Sequence, residues 1–358
     1  MLQFLKRALR KPRATVYGLD HAALNIQLSQ QSMWMNMGYW EYTNDFPEAC
    51  QALLDQVLTA ALSTETAPAI RILDVGCGCG DQSLYLTRVL NGSSPTSHES
   101  RTETKLTTTA SISSTRSDIP PSESGLRSRY SKINVQSSSS LRLDSYIGIT
   151  LEPAQAALGS SRIHHMQRES GDNTQADIFC ADAATPSSWT GELKKSITAL
   201  ADVSNKQHEN EDTSTWLLAL DTMYHFHPSR LPLLTYACNS LDASFMAFDM
   251  ILSNSITWYE KILLRLVCWG TNSPFGNFVS EKEYVDLLVT AGYNPAFIEV
   301  RDVSQYVFRG LADFIKRRVE EARPFGIKMG KYRAARFVFE WWAKGSIVRG
   351  VVVVARKE

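Results

Sequence analysis

The sequence predicts an α/β protein: a seven-stranded, mostly parallel sheet with helices on both faces and a helical cap. Three observations carry this. Apolar strand-like runs alternate with helical patterns along most of the 358 residues, and such alternation builds a parallel sheet covered by helices. The first of these runs opens directly into a loop of alternating glycines followed by a helical pattern. Near the end, Val351 to Val354 is continuously apolar, as a strand buried on both faces requires.

The strand-like runs cover 70–75, 145–150, 176–181, 215–220, 244–251, 296–300 and 347–355. Helical patterns lie between most of them, notably at 82–90, 153–158, 230–241 and 280–291. Three aromatic-rich regions of helical spacing fall outside this alternation: 1–62, 257–272 and 304–345. They are expected to cap the ends of the strands, where open α/β sheets bind ligands. The organisation expected is an N-terminal cap over 1–62 and a main domain over 63–358 carrying the other two cap additions. Between 91 and 140, 23 of 50 residues are Ser or Thr and only eight are hydrophobic. Such a stretch buries too little apolar surface to offset its ordering entropy, so it reads as a disordered insertion within the domain. Smaller polar insertions are expected at 160–175 and 201–214.

Hydrophobic residues make up 44% of the chain, enough for a sizeable core without disulfides or metals. Basic and acidic residues balance at 37 each. A neutral chain lacks the electrostatic footprint of a nucleic-acid binder, which favours a small-molecule partner. The cysteines are Cys50, Cys77, Cys79, Cys180, Cys238 and Cys268. Only Cys77 and Cys79 are close together, so no metal site is expected, and scattered reduced thiols fit an intracellular, cytoplasmic protein. No run of eighteen apolar residues suggests a membrane span. The first nineteen residues hold Lys6, Arg7, Arg10, Lys11 and Arg13 with no acid before Asp20, and Leu2, Phe4, Leu5 and Leu9 at helical spacing. This segment reads as a peripheral membrane contact, a mitochondrial presequence or a solvated helix end.

The most informative stretch is Ile72-Leu73-Asp74-Val75-Gly76-Cys77-Gly78-Cys79-Gly80-Asp81-Gln82. Glycines at alternate positions let the backbone turn sharply and approach a ligand where a Cβ would collide. The spacing is G-x-G-x-G, whereas dinucleotide sites use G-x-G-x-x-G to cradle a pyrophosphate. An acid just before the first glycine suits a cationic ligand bearing an ammonium group.

This loop resembles that of the Rossmann-like class I S-adenosylmethionine-dependent methyltransferases. Gly148-Ile149-Thr150-Leu151-Glu152-Pro153-Ala154-Gln155 looks like the G-I-T-x-x-x-x-Q segment of their tocopherol, sterol and cyclopropane-synthase branch. Met37-Gly38-Tyr39-Trp40 resembles that branch's H-x-G-Y-W/Y segment without its histidine, and 333–358 resembles its closing segment. The resemblance implies S-adenosyl-L-methionine as cofactor and a small-molecule acceptor. It implies that Asp74, Gly76, Cys77, Gly78, Gly80 and Gln82 hold the cofactor's amino-acid end. Thr150 and Leu151, with Glu152 or Gln155, would face the ribose and adenine, and Asp182 and Ala183 the adenine ring. Leu220 would border the site, and Tyr39 and Trp40 would close over the methionine end.

After the fourth strand comes Leu220-Asp221-Thr222-Met223-Tyr224-His225-Phe226-His227. A hydroxyl acceptor must lose a proton on methylation, and a histidine of near-neutral pKa suits that task. His225 is the candidate base, with Asp221, Tyr224 and His227 as accessories. The alternative is that both histidines only line the pocket or cap a helix. The aromatic caps, and the helix at 259–266 with basic residues beside a leucine face, suit a hydrophobic, lipid-like or aromatic acceptor. A chain that binds the cofactor without methylating, as a scaffold or in other chemistry, is the alternative function.

Overall fold

Ligands in open α/β sheets gather where the strand order reverses, so the order of the strands locates the site. The computed structural model describes residues 32–91, 141–170, 174–201, 212–323, 327–345 and 347–357. The basic N-terminal segment, and all but the first residue of the Ser/Thr-rich insertion, lie outside the described residues. The strands are β1 (Ala69–Val75), β2 (Arg142–Thr150), β3 (Gln175–Cys180), β4 (Thr213–Leu220), β5 (Ser244–Leu252), β6 (Ile298–Asp302) and β7 (Val348–Ala355). Their order across the sheet is β3-β2-β1-β4-β5-β7-β6. All neighbours run parallel except β7, which is antiparallel to both β5 and β6. The chain runs outward from β1 to β3 and then crosses to β4 on the other side of β1. The crevice between the C-terminal ends of β1 and β4 is therefore the switch point.

The helices are α1 (Phe46–Leu62), α2 (Asp81–Leu90), α3 (Pro153–Ser170), α4 (Gly191–Ala201), α5 (Leu231–Ser240), α6 (Trp258–Thr271), α7 (Glu281–Ala291), α8 (Ser304–Ala322) and α9 (Gly330–Gly345). The central strands β1 and β5 are buried almost throughout, because side chains on both faces meet helices. On one face Ile70, Ile72, Tyr146, Leu218 and Phe248 join Leu53, Leu54, Leu86, Ile163, Phe308 and Trp342 from the covering helices. On the other, Leu73, Val75, Leu217 and Phe245 meet Ile197, Leu234 and Leu288.

Two expectations need correction. The stretch at 160–175 is not wholly an insertion: α3 continues to Ser170, with Ile163 buried in the core beneath a polar outer face. Helix α1, the described helix within 1–62, lies on the sheet and not over the strand ends. Asp45 caps α1 by accepting from the Glu48 amide, and the helix then buries Phe46, Leu53, Leu54, Val57 and Leu58. It lies against β5 and β7 as part of one covering layer.

Candidate functional site

Strand β1 delivers the glycine loop into the switch-point crevice. Gly76, Gly78 and Gly80 have φ of 83°, 59° and 86°, the left-handed region that side chains rarely adopt. A Cβ on Gly76 would come 2.6 Å from Thr222 Oγ1, and one on Gly78 would come 2.3 Å from Met35 Cε. The turn is fixed to β2 by Gly76 donating its amide to Ile149 O at 2.7 Å.

Above this loop lies a cavity of about 190 Å³. Its floor is Gly76, Cys77, Gly78 and Cys79 with Gln82. Ile149 to Glu152 and Gln155 form one wall, and Ala181, Asp182 and Ala183 extend it. Leu220, Asp221, Thr222 and Tyr224 to His227 form the opposite wall, with Thr271 and Asn272 at the rim. The end of β2 is held in place by Thr150 Oγ1, which donates to Gln155 Oε1 at 2.9 Å.

Several expected residues stand elsewhere. Asp74 does not line the cavity. It is fully buried behind the loop, where its carboxylate accepts from Gln82 Nε2 at 2.7 Å and from the Tyr146 hydroxyl at 2.6 Å. Burial pushes its pKa up to about 6 against the pull of those two donors. It holds the Gln82 amide by these hydrogen bonds, and Gln82 does reach the cavity. Gly80 is also outside, at the N-terminus of α2, where a Cβ would approach Gly159 Cα to 3.0 Å. Tyr39 and Trp40 do not close over the cavity. Trp40 is packed over Gly310 of α8 and against Phe314, with ring centroids 5.2 Å apart, while Tyr39 sits against Tyr306.

Met33, Trp34, Met35 and Asn36 line the cavity instead. The segment is tied at two acids: Met33 donates its amide to Asp81 Oδ1 at 3.0 Å, and Met37 donates to Asp221 Oδ2 at 2.8 Å. Asp81 is anchored in turn by Arg162 at 2.6 Å. The alternation of Met33, Met35 and Met37 was the available signal, since flexible thioethers suit an adaptable apolar lining.

Two carboxylates give the cavity its character. Among the described residues, Glu152 Oε2 and Asp221 Oδ1 are buried without a hydrogen-bond partner of ordinary geometry. Unpaired acceptors of this kind are costly and suit a ligand that brings hydroxyl or ammonium donors. Burial pushes the Asp221 carboxyl up to about 8, despite the opposing pull of Tyr224 and the Met37 amide. His225 lies beside Tyr224, with ring centroids 4.0 Å apart, and its Nδ1 is 2.9 Å from Ser273 Oγ. His227 lies nearer the rim, with Nε2 3.4 Å from Asn272 O. No group of three or more His, Cys, Asp or Glu among the described residues is arranged to hold a metal ion.

The sequence matches no protein-family model and no curated protein. Solved structures do match. A cyclopropane synthase from Mycobacterium tuberculosis is 13% identical with a TM-score of 0.56, over 96% of this chain and 97% of that one. A mycolic acid cyclopropane synthase is 12% identical with a TM-score of 0.56, over 97% and 99%. The geranyl diphosphate C-methyltransferase of Streptomyces coelicolor, solved with Mg2+, geranyl diphosphate and S-adenosyl-L-homocysteine, is 11% identical with a TM-score of 0.51, over 98% and 100%. The strand order, the antiparallel β7 and these likenesses agree: the chain has the fold of the class I S-adenosylmethionine-dependent methyltransferases.

Proposed function

We propose that this chain binds S-adenosylmethionine in the switch-point cavity and transfers its methyl group to a small hydrophobic or aromatic acceptor. The observation that carries the reading is the left-handed glycine loop together with two carboxylates, Glu152 and Asp221, lining one cavity, each with an oxygen that makes no hydrogen bond of ordinary geometry. The chemistry of the cofactor fits that donor-hungry set, because it offers ribose hydroxyls and an α-ammonium. Glu152 would accept from the ribose hydroxyls, with Thr150 and Gln155 shaping the wall beside it. Asp182 and Ala183 would meet the adenine edge. Gln82, oriented by Asp74, and the loop amides would hold the amino-acid end, with Asp221 across from them. A cation beside Asp221 would draw its raised pKa back down.

When bound, the cofactor supplies a sulfonium methyl for in-line displacement, so alignment and exclusion of water carry most of the rate. Met33 to Asn36 supply the exclusion. His225, in the cavity wall, would take the acceptor's proton. With Nδ1–H donating to Ser273, its Nε2 would be the basic nitrogen.

The reading is tested by calorimetric titration with S-adenosylmethionine and S-adenosylhomocysteine, followed by incubation of methyl-labelled cofactor with fractionated small-molecule extracts. Binding of both, with label appearing in an apolar fraction, is expected. Glu152→Ala should weaken binding about tenfold to a hundredfold, the worth of a hydrogen bond to a charged group. Binding without transfer to any fraction would favour the non-methylating alternative. Absence of binding would overturn both.

A further inference from the structure

Helix α6 reverses the usual order of a surface helix. Of its fourteen residues only Leu264 and Cys268 are buried, while Trp258, Tyr259, Ile262, Leu263, Leu266 and Trp269 are exposed. At 3.6 residues per turn, Trp258, Ile262, Leu266 and Trp269 form one stripe on the side away from Leu264 and Cys268. The two tryptophans, 75% and 73% exposed, mark its ends. An exposed apolar stripe of this length needs a covering surface.

The charges beside the stripe indicate which surface. Lys261 and Arg265 lie along one edge and are exposed. The one acid on the helix, Glu260, is held by the N-terminal cap, accepting from the Thr257 amide at 2.8 Å and from its hydroxyl. Glu283, which Lys261 influences, is likewise held by Ser280 in the next cap. Both carboxylates stay ionised, but Glu260 falls on the side of the helix opposite the stripe, so the charge at the stripe's own edge, from Lys261 and Arg265, is basic. Tryptophans bracketing an aliphatic face with a basic edge are the pattern of a helix lying in a membrane interface. At its C-terminal end, Thr271 and Asn272 form part of the cavity rim.

We propose that α6 seats the protein on an anionic membrane surface, with its apolar stripe at the boundary between headgroups and acyl chains and the cavity mouth facing the bilayer. If the methyl-transfer reading above holds, on which this clause rests, the acceptor is an amphiphile taken from the lipid phase. No helix among the described residues is long and apolar enough to cross a membrane, so the contact is peripheral.

The test is co-sedimentation of the full chain with vesicles of phosphatidylcholine alone or mixed with phosphatidylglycerol, for the parent and for a Trp258→Ser, Trp269→Ser variant. The parent should sediment with the anionic vesicles and far less with the neutral ones. The variant should lose about tenfold or more in partitioning at an unchanged melting temperature, since both side chains are outside the core. A parent that stays in the supernatant, or a variant that sediments like the parent, would overturn the proposal. So would light scattering that reveals a parent dimer dissolved by the same substitutions. Cofactor titration of the same samples reads the catalytic proposal separately, because it requires no vesicles.

Discussion

At the end of β4, Asp221 combines two unfavourable features at one position. Its φ of 60° is left-handed backbone, which costs a non-glycine residue roughly 1–2 kcal/mol. Burial meanwhile holds its carboxyl at about 8. An unfolded aspartate titrates near 3.8, so between these values the folded chain retains a proton that the unfolded chain has released. Stability therefore falls as pH rises through this window, and the loss is complete only above the folded pKa. Asp74, at about 6, and Asp55, raised to about 7 mainly by burial, act in the same direction at lower pH. Asp221→Asn should remove the most alkaline part of the decline. Denaturant melts of the ligand-free protein between pH 6 and pH 9 should show a parent loss larger than the variant's by about 3 kcal/mol. Parallel curves for the two proteins would mean that Asp221 is ordinary in its titration.

The loop from Asp221 to His227 is held from below by a buried polar cluster. Arg230, at the start of α5, donates to Asp249 Oδ2 at 2.8 Å and to the carbonyl of Asn277, and its guanidinium lies 4.7 Å from the centre of the Tyr284 ring. Asn277 Nδ2 then donates to the carbonyls of Tyr224 and Phe226, which fixes the backbone on either side of His225. Arg230→Met alone would strand the buried Asp249 carboxylate, and it should cost about 3–5 kcal/mol in urea unfolding. Arg230→Met with Asp249→Leu should recover most of that loss, because the stranded charge is removed and the volume refilled. A double variant as unstable as the single one would mean that the ion pair itself, and not the cost of stranding one partner, dominates. Nothing in the local sequence announces this cluster. Arg230, Asp249, Asn277 and Tyr284 lie on four separate segments, and only tertiary packing makes them neighbours.

Across the whole molecule, what was legible depended on how local the cause is. The sheet could be read because strand burial and the glycine turn after Val75 are written into consecutive residues. The cavity walls at Thr150 to Gln155 and Leu220 to His227 follow from strand ends at the switch point. The lining at Met33 to Asn36 and the rim at Thr271 and Asn272 could not be placed. Their positions depend on contacts such as Met37 with Asp221, 184 residues apart in sequence. For the same reason Tyr39 and Trp40 read as a lid although packing on α8 draws them into the core. The Ser/Thr-rich insertion gives the last prediction at this scale, resting on where the chain leaves and returns. Asn91, at the end of α2, accepts from the Leu143 amide through Oδ1 at 3.1 Å and donates to Thr174 Oγ1 at 2.7 Å. Arg142 donates its amide to Pro68 O at 2.9 Å, so β2 is registered on β1 by groups outside the insertion. The exit and re-entry points are thus already adjacent, and a short connection can join them without strain. Loop-closure entropy also changes slowly with length, by only about 0.6 kcal/mol per doubling. Replacing 92–140 by a short Gly-Ser linker should therefore leave the melting temperature within a few degrees of the parent and the S-adenosylmethionine affinity within about twofold. A loss of cofactor affinity with an unchanged melting temperature would give the insertion a part in the site, and a large drop in melting temperature would give it a part in the core.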